Sequence, residues 1–192
     1  MEKAQLNREF RVVMIGGSAG SLEIIIKLLS ELVTNRLAIV LIIHRKGSIH
    51  STLADLLNLK TPMLVKEAEE KEFIQPGHVL IAPADYHLLI ERNGSITLDY
   101  SEKVNFSRPS IDVSFECAAD VFGRRVIGIL LSGGNTDGVD GLKSIKKAGG
   151  ICIVQDPESA LVSYMPQHAL NELEADYKFK ALEMAEFLNG IP

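Results

Sequence analysis

Three observations predict a doubly wound α/β fold, with a mostly parallel sheet, helices on both faces and a small antiparallel hairpin at one side. Short aliphatic runs recur along the chain, they alternate with stretches of helical periodicity, and glycine-rich turns join the two. An unbroken aliphatic run of about five to seven residues suits a parallel strand covered on both faces, and the alternating helices supply the cover. At 192 residues the chain has room for one substantial core, so a single domain over residues 1–192 is expected.

Val12 to Ile15 is apolar and breaks at Gly16-Gly17, and Ser21 to Leu32 then repeats its apolar residues at helical spacing: strand, tight turn, helix. Leu37 to Ile43 reads as a second buried strand and Ile49 to Leu57 as an amphipathic helix. From Pro62 to Tyr100 the runs shorten between turn signals at Pro76-Gly77, Pro83 and Asn93-Gly94, which predicts an antiparallel insertion. Within it His87 to Arg92 and Ser95 to Tyr100 flank Asn93-Gly94, the preferred pair for a two-residue hairpin turn. Ser110 to Phe122 is helical, Arg125 to Leu131 a buried strand ending in the turn SGGNTDG, and Val139 to Ala148 a helix stopped by Gly149-Gly150. Ile151 to Gln155 is a strand, and Met165 to Leu173 and Ala181 to Leu188 close the chain as helices.

Composition excludes several classes of function. A net charge of -5 argues against binding nucleic acid, whose affinity rests on clustered Lys and Arg. The polar N-terminus is no leader peptide, and the longest apolar run, Leu37 to Ile43, is too short to insert in a membrane. Cys117 and Cys152 lack the spacing of a zinc or redox motif and are expected to be buried packing residues in a reduced, cytoplasmic setting. No cluster of metal ligands is evident, so neither a metal nor another cofactor is expected.

The chemistry gathers at strand ends. Gly16-Gly17-Ser18-Ala19-Gly20 fits the G-x-S-x-G nucleophile elbow, in which a strand turns into a helix and lifts a serine hydroxyl above the sheet. Taken alone the turn fits a phosphate cradle equally well. That reading, however, wants G-x-G-x-x-G or a Gly-Lys-Ser/Thr ending, and an acidic residue closing the second strand. The second strand closes instead with His44. The third group is Asp137, in the turn after Leu131, where it serves either a catalytic histidine or the N-terminus of its own helix as a cap. Ligands of open α/β sheets collect at the carboxyl ends of strands, and three such ends offer Ser18, His44 and Asp137. His50, His78, His87 and His168 lack that placement and read as surface or packing residues.

The segments VVMIGGSAGSLE, PGHVLIAPADYHL, NFSRPSIDVSF, GILLSGGNTDGVDGL, AGGICIVQDPESA and YMPQHAL, with the strand ending in His44, make the chain resemble the catalytic domain of the chemotaxis protein-glutamate methylesterases (CheB-type) from about Val12 to Gly190. The resemblance implies a serine hydrolase that removes methyl esters from glutamate side chains on the cytoplasmic helices of chemoreceptors, in some members also deamidating glutamines. Ser18 is then nucleophile, His44 base and Asp137 the group that orients it, with Ala19, Gly133 and Gly134 as oxyanion candidates. The family's receiver domain is not expected, because the first strand begins within a dozen residues of Met1; control would fall to a separate regulatory protein. The chain differs from the family at the mouth of the site, with Ile43-His44-Arg45-Lys46 for a Gln-His-Met-Pro-like segment, Gly133-Gly134-Asn135 for Gly-Met-Gly and Ser107 for a histidine. Arg45, Lys46 and Arg108 would form a local positive patch for an acidic receptor helix. The alternative from another class is a non-catalytic signalling or scaffold module that binds a receptor helix or an anionic ligand.

Overall fold

Residues 10–45 and 52–191 are described by a computed structural model. In chain order the strands are β1 (Val12–Gly17), β2 (Ala38–Ile43), β3 (Leu64–Glu67), β4 (His78–Ile81), β5 (His87–Ile90), β6 (Ile96–Asp99), β7 (Val126–Leu130), β8 (Ile151–Gln155) and β9 (Tyr177–Phe179). The helices are α1 (Ser21–Glu31), α2 (Leu53–Asn58), α3 (Ile111–Phe122), α4 (Val139–Lys147), α5 (Tyr164–Glu172) and α6 (Ala181–Asn189).

The first two aliphatic runs of the chain, β1 and β2, are buried at every position and pair in parallel, Val12 opposite Ala38 and Gly17 opposite Ile43. They sit near the middle of a seven-stranded sheet of order β3-β4-β2-β1-β7-β8-β9, in which every adjacent pair is parallel. Alternation along the strands splits the core in two. Val13, Ile15, Ile39 and Leu41 pack with Leu28 and Leu29 of α1 and Met184 and Leu188 of α6. Met14, Val40 and Ile42 face the other way, against Phe115 and Ala118 of α3, Leu142 of α4 and Ala169 of α5. Each fully buried Leu or Ile contributes about 1.5–3 kcal/mol, so both faces must be covered for such strands to be stable.

The start of α3 lies directly on the sheet. A Cβ at Gly16 would sit 2.4 Å from Ile111 Cγ2, so a side chain there would push the helix N-terminus away from β1. That contact brings the first turn of α3 to the strand ends that carry Ser18 and His44.

The structure differs from the sequence expectation in the Pro62–Tyr100 region. Only β5 and β6 are antiparallel; β3 and β4 join the main sheet as parallel strands, with β4 inserted between β2 and β3. Four-residue strands carry too little pattern to reveal direction, which pairing with β2 decides. The hairpin turn is also one residue longer than expected. Glu91 N–H donates to Ser95 O at 2.8 Å and Gly94 N–H to Glu91 O at 2.7 Å, enclosing residues 92–94. Gly94 takes the left-handed conformation, φ 85°, that a three-residue loop requires. β9 has no counterpart in the sequence reading because three residues show no periodicity, and the expected helix start at 49–51 lies outside the described residues.

Candidate functional site

Continuation of the β1–β2 ladder past the strand ends puts Ser18 beside His44. His44 N–H donates to Gly17 O at 3.1 Å, and Ser18 N–H donates across to Ser132 O at 2.9 Å. Neighbouring strands run about 4.8 Å apart, and both residues are in phase with the side chains that face α3 and α4. The Ser18 hydroxyl makes no hydrogen bond among the described residues.

Behind His44 the site is closed and rigid. His44 Nε2 lies 2.7 Å from Asp137 Oδ2, and the Asp137 side chain is 0% exposed. The same Oδ2 accepts Ile111 N–H at 2.8 Å, while Oδ1 accepts Asp112 N–H and Ser110 Oγ–H, each at 3.0 Å. Burial alone would raise the Asp137 pKa, but the hydrogen bonds from His44, Asp112 N–H and Ile111 N–H outweigh it and hold the carboxyl below its usual range. Asn135 works from the other side. Its Nδ2 lies 3.4 Å from His44 Nδ1 and 3.3 Å from Ser107 Oγ, and its Oδ1 accepts Asp137 N–H at 3.2 Å. A carboxylate at Nε2 and an amide N–H at Nδ1 together select the neutral tautomer protonated on Nε2. Nδ1 is then the basic nitrogen, the reverse of the arrangement in chymotrypsin-like proteases.

The capping alternative for Asp137 proves half right, because it caps a different helix. Its carboxylate receives the first N–H groups of α3, whereas the Gly138 and Gly141 N–H groups at the start of α4 both donate to Asp112 Oδ1 at 2.8 Å. Asp112 belongs to α3 and Asp137 precedes α4, so each helix is capped by a carboxylate from the other. Burial first, and then the neighbouring charge of Asp137, push the Asp112 carboxyl up to about 7 against the pull of the Gly141 and Gly138 N–H groups. Sequence alone does not single out Asp112, Ser110 or Asn135. The available signal is Ser110 and Asp112 standing together at the start of a helix, a capping pattern with no partner named.

The turn after β7 walls the site on the Ser18 side. A Cβ on Gly133 would lie 3.0 Å from Ser18 Cβ and 2.4 Å from Met165 Cε, which leaves no room for a larger residue. Gly133 N–H is taken by Val162 O at 3.1 Å, which removes it as an oxyanion donor. The N–H groups of Ala19 and Gly134 donate to nothing among the described residues. Ser132 Oγ ties this wall together by donating to Ala19 O at 2.8 Å and accepting Val162 N–H at 2.9 Å.

A shallow cleft of about 270 Å³ opens beside His44, lined by Arg45, Asp85, Lys103, Phe106, Ser107 and Arg108. The basic residues expected at the mouth are there, but partly committed. Arg45 is ion-paired with Glu67. Arg108 donates to Tyr100 O at 3.1 Å and Ser101 O at 2.6 Å, with its guanidinium 3.9 Å above the Tyr100 ring. Lys46 lies outside the described residues. Asn105 and Phe106 form a two-residue turn closed by hydrogen bonds between Val104 and Ser107 in both directions, with φ of 48° and 63°. A bulky side chain in the left-handed region costs about 1–2 kcal/mol, and Phe106 is 97% exposed.

The remaining candidates are structural. His87 is buried, accepts Ser110 N–H at Nδ1 (3.1 Å) and donates from Nε2 to Glu102 O (2.9 Å), so it braces the residue that braces Asp137. His78 contacts Pro76 O, and His168 stacks on Tyr164. His50 lies outside the described residues. Cys152 is buried, as expected, and burial pushes its thiol up to about 12; Cys117 is only half-buried, with its thiol also pushed up by burial.

The chain is similar to known proteins along most of its length. The CheB methylesterase family matches residues 13–188. A Leptospira interrogans protein named provisionally as a protein-glutamate methylesterase/protein-glutamine glutaminase is 41% identical over 182 residues, covering 92% of both chains. The Chromohalobacter salexigens protein-glutamate methylesterase/protein-glutamine glutaminase is 39% identical over 171 residues; the match covers 88% of this chain and 48% of that one. The crystal structure of the Thermotoga maritima CheB methylesterase catalytic domain superposes with a TM-score of 0.89 at 34% identity, covering 94% of this chain and 98% of that one. By fold and by sequence along nearly its whole length, the chain belongs to the CheB methylesterase family.

Proposed function

We propose that this protein hydrolyses glutamate methyl esters on the cytoplasmic helices of chemoreceptors, and deamidates glutamines there, through Ser18, His44 and Asp137. The observation that carries the reading is the buried, saturated Asp137 carboxylate holding His44 at 2.7 Å beside a serine on an open turn. His44 Nδ1 takes the proton of Ser18 Oγ as the oxygen bonds to the ester carbonyl carbon. The tetrahedral oxyanion is received by the Ala19 and Gly134 N–H groups at the start of α1 and in the β7 turn. Collapse expels methanol, or ammonia from a glutamine, carrying the proton returned from Nδ1. Water then attacks the acyl-serine by the same route and releases the glutamate carboxylate. Asp137 stays ionised throughout and stabilises the imidazolium. No metal or cofactor enters these steps.

The protein acts in the cytoplasm, where receptor helices are accessible. No described helix is long and apolar enough to cross a membrane. The test is a fluorophosphonate probe together with methanol release from a carboxyl-methylated receptor fragment. Native protein should be labelled at Ser18 and release methanol, and heat-denatured protein should do neither. A native protein that resists the probe and releases no methanol would favour the scaffold reading.

A further inference from the structure

We infer that Phe106 and Leu161, exposed apolar side chains at the two ends of the Ser18 site, form a docking surface for an acid-flanked amphipathic helix of the substrate protein. The inference rests on the proposed esterase reading and adds the surface by which the substrate is held. Phe106 lines the cleft beside His44 and is 97% exposed. Leu161 is 80% exposed and packs over Gly20, where a Cβ would lie 2.6 Å from its own. Strand order sets His44, and with it Phe106, on one side of Ser18, and the β7 turn, bonded to Val162 next to Leu161, on the other.

The backbone at Phe106 sharpens the case. Its φ of 63° places it in a two-residue turn with both central residues left-handed, a position that favours glycine. Both hydrogen bonds closing the turn are made, so the backbone is fixed with the side chain outward, and the ring buries almost nothing of itself in the fold. Strain that returns no packing points to a role outside the fold. Aromatic and Arg side chains together are the composition of interface anchors, and Tyr100, 65% exposed beneath the Arg108 guanidinium, extends the patch. Lys103 is exposed and makes no ion pair among the described residues; with Arg45 and Arg108 against the one carboxylate of Asp85, it leaves the lining of the cleft net positive. Phe106 with Arg108 and Lys103 in the same cleft, and Leu161 as a second apolar post, fit the acidic flank and the apolar stripe of a helix. The substrate glutamate would then have apolar residues about one helical turn before and after it.

The test uses a carboxyl-methylated cytoplasmic fragment of a chemoreceptor, titrated into the full-length Ser18→Ala protein with and without Phe106→Gly, and separately with Leu161→Ser. Phe106→Gly should weaken binding about tenfold while raising Tm by roughly 2 °C, because glycine relieves the left-handed strain. Leu161→Ser should weaken binding about threefold. Binding within twofold of the Ser18→Ala parent in both variants, or a Tm that falls with Phe106→Gly, would overturn the docking surface. Methanol release by the protein with Ser18 intact is read alongside. Release with unaltered binding in the variants refutes the surface and leaves the esterase reading standing; weakened binding without release does the reverse.

Discussion

The corner behind His44 and the rim in front of it are built on opposite principles. At the corner, Asp137 is wholly buried, takes four hydrogen bonds and shares the capping of two helices with Asp112. At the rim, Asn105 and Phe106 stand in left-handed backbone, and Phe106 is almost entirely in solvent. The corner over-determines the position of one imidazole; the rim leaves side chains unspent. A hydrolase acting on another protein needs both, since its base must not move whereas its substrate contacts stay unmade until the partner arrives.

Removal of the reacting groups tests the corner most directly. Ser18→Ala or His44→Ala should lower ester turnover by roughly four to six powers of ten, and Asp137→Ala by somewhat less, with the circular dichroism of the folded protein preserved. Substantial methanol release by Ser18→Ala would end the mechanism. Next in size is Asp112. Replacement by Ala orphans the Gly138 and Gly141 N–H groups, so kcat should fall about tenfold and stability by roughly 1–3 kcal/mol. Asp112→Asn keeps an acceptor for both groups and should recover most of kcat. If Asp112→Ala loses stability but keeps kcat, the two caps are independent of the catalytic geometry.

The pH dependence of stability separates the two carboxylates. Asp112 is raised in the folded state, so its neutral form is the favoured one; the stability it confers is full below the ordinary carboxylate pKa and is lost as pH rises to about 7. Asp137 is depressed, so its contribution is present above the ordinary carboxylate pKa and is lost as pH falls through the folded value. Asp112→Asn, which cannot ionise, should therefore gain on the wild type steadily from about pH 4 to about pH 7, as read from urea midpoints. A gap independent of pH would mean that Asp112 is ionised across this range in both states.

The smallest effect is expected at the charged part of the rim. Arg45 is already paired with Glu67, so Arg45→Glu with Lys46→Glu should slow action on methylated receptor only about threefold, yet more than on a small neutral ester. The difference should shrink as salt screens charges beyond about 8–10 Å. Equal losses on both substrates would show that these charges do not guide the approach.

Much of the fold and of the site is legible in the sequence, because strand ends are where a parallel sheet presents side chains. Val12 to Ile15 and Leu37 to Ile43 are too uniformly aliphatic to be anything but covered strands, and their ends locate the proposed reactive groups: Ser18 past one, His44 past the other. Asp137 is equally visible as a polar residue in a glycine turn, although which helix it caps is not. Helical and strand periods are properties of neighbouring residues, and they survive whatever the rest of the chain does.

Tertiary structure decided the rest, because it depends on which distant segments meet. β3 and β4 became parallel strands only by pairing with β2. Asp112 reaches the start of α4 and Asp137 the start of α3 across 25 to 29 residues of chain, a reciprocal pairing that no local pattern encodes. Gly133 lost its N–H to Val162, and Asn135 came to face His44 Nδ1, through contacts between segments 29 and 91 residues apart. Sequence determines which groups are available at the ends of strands; three-dimensional packing alone determines which nitrogen, oxygen or N–H each one faces, because hydrogen bonds are settled at ångström distances that periodicity cannot resolve.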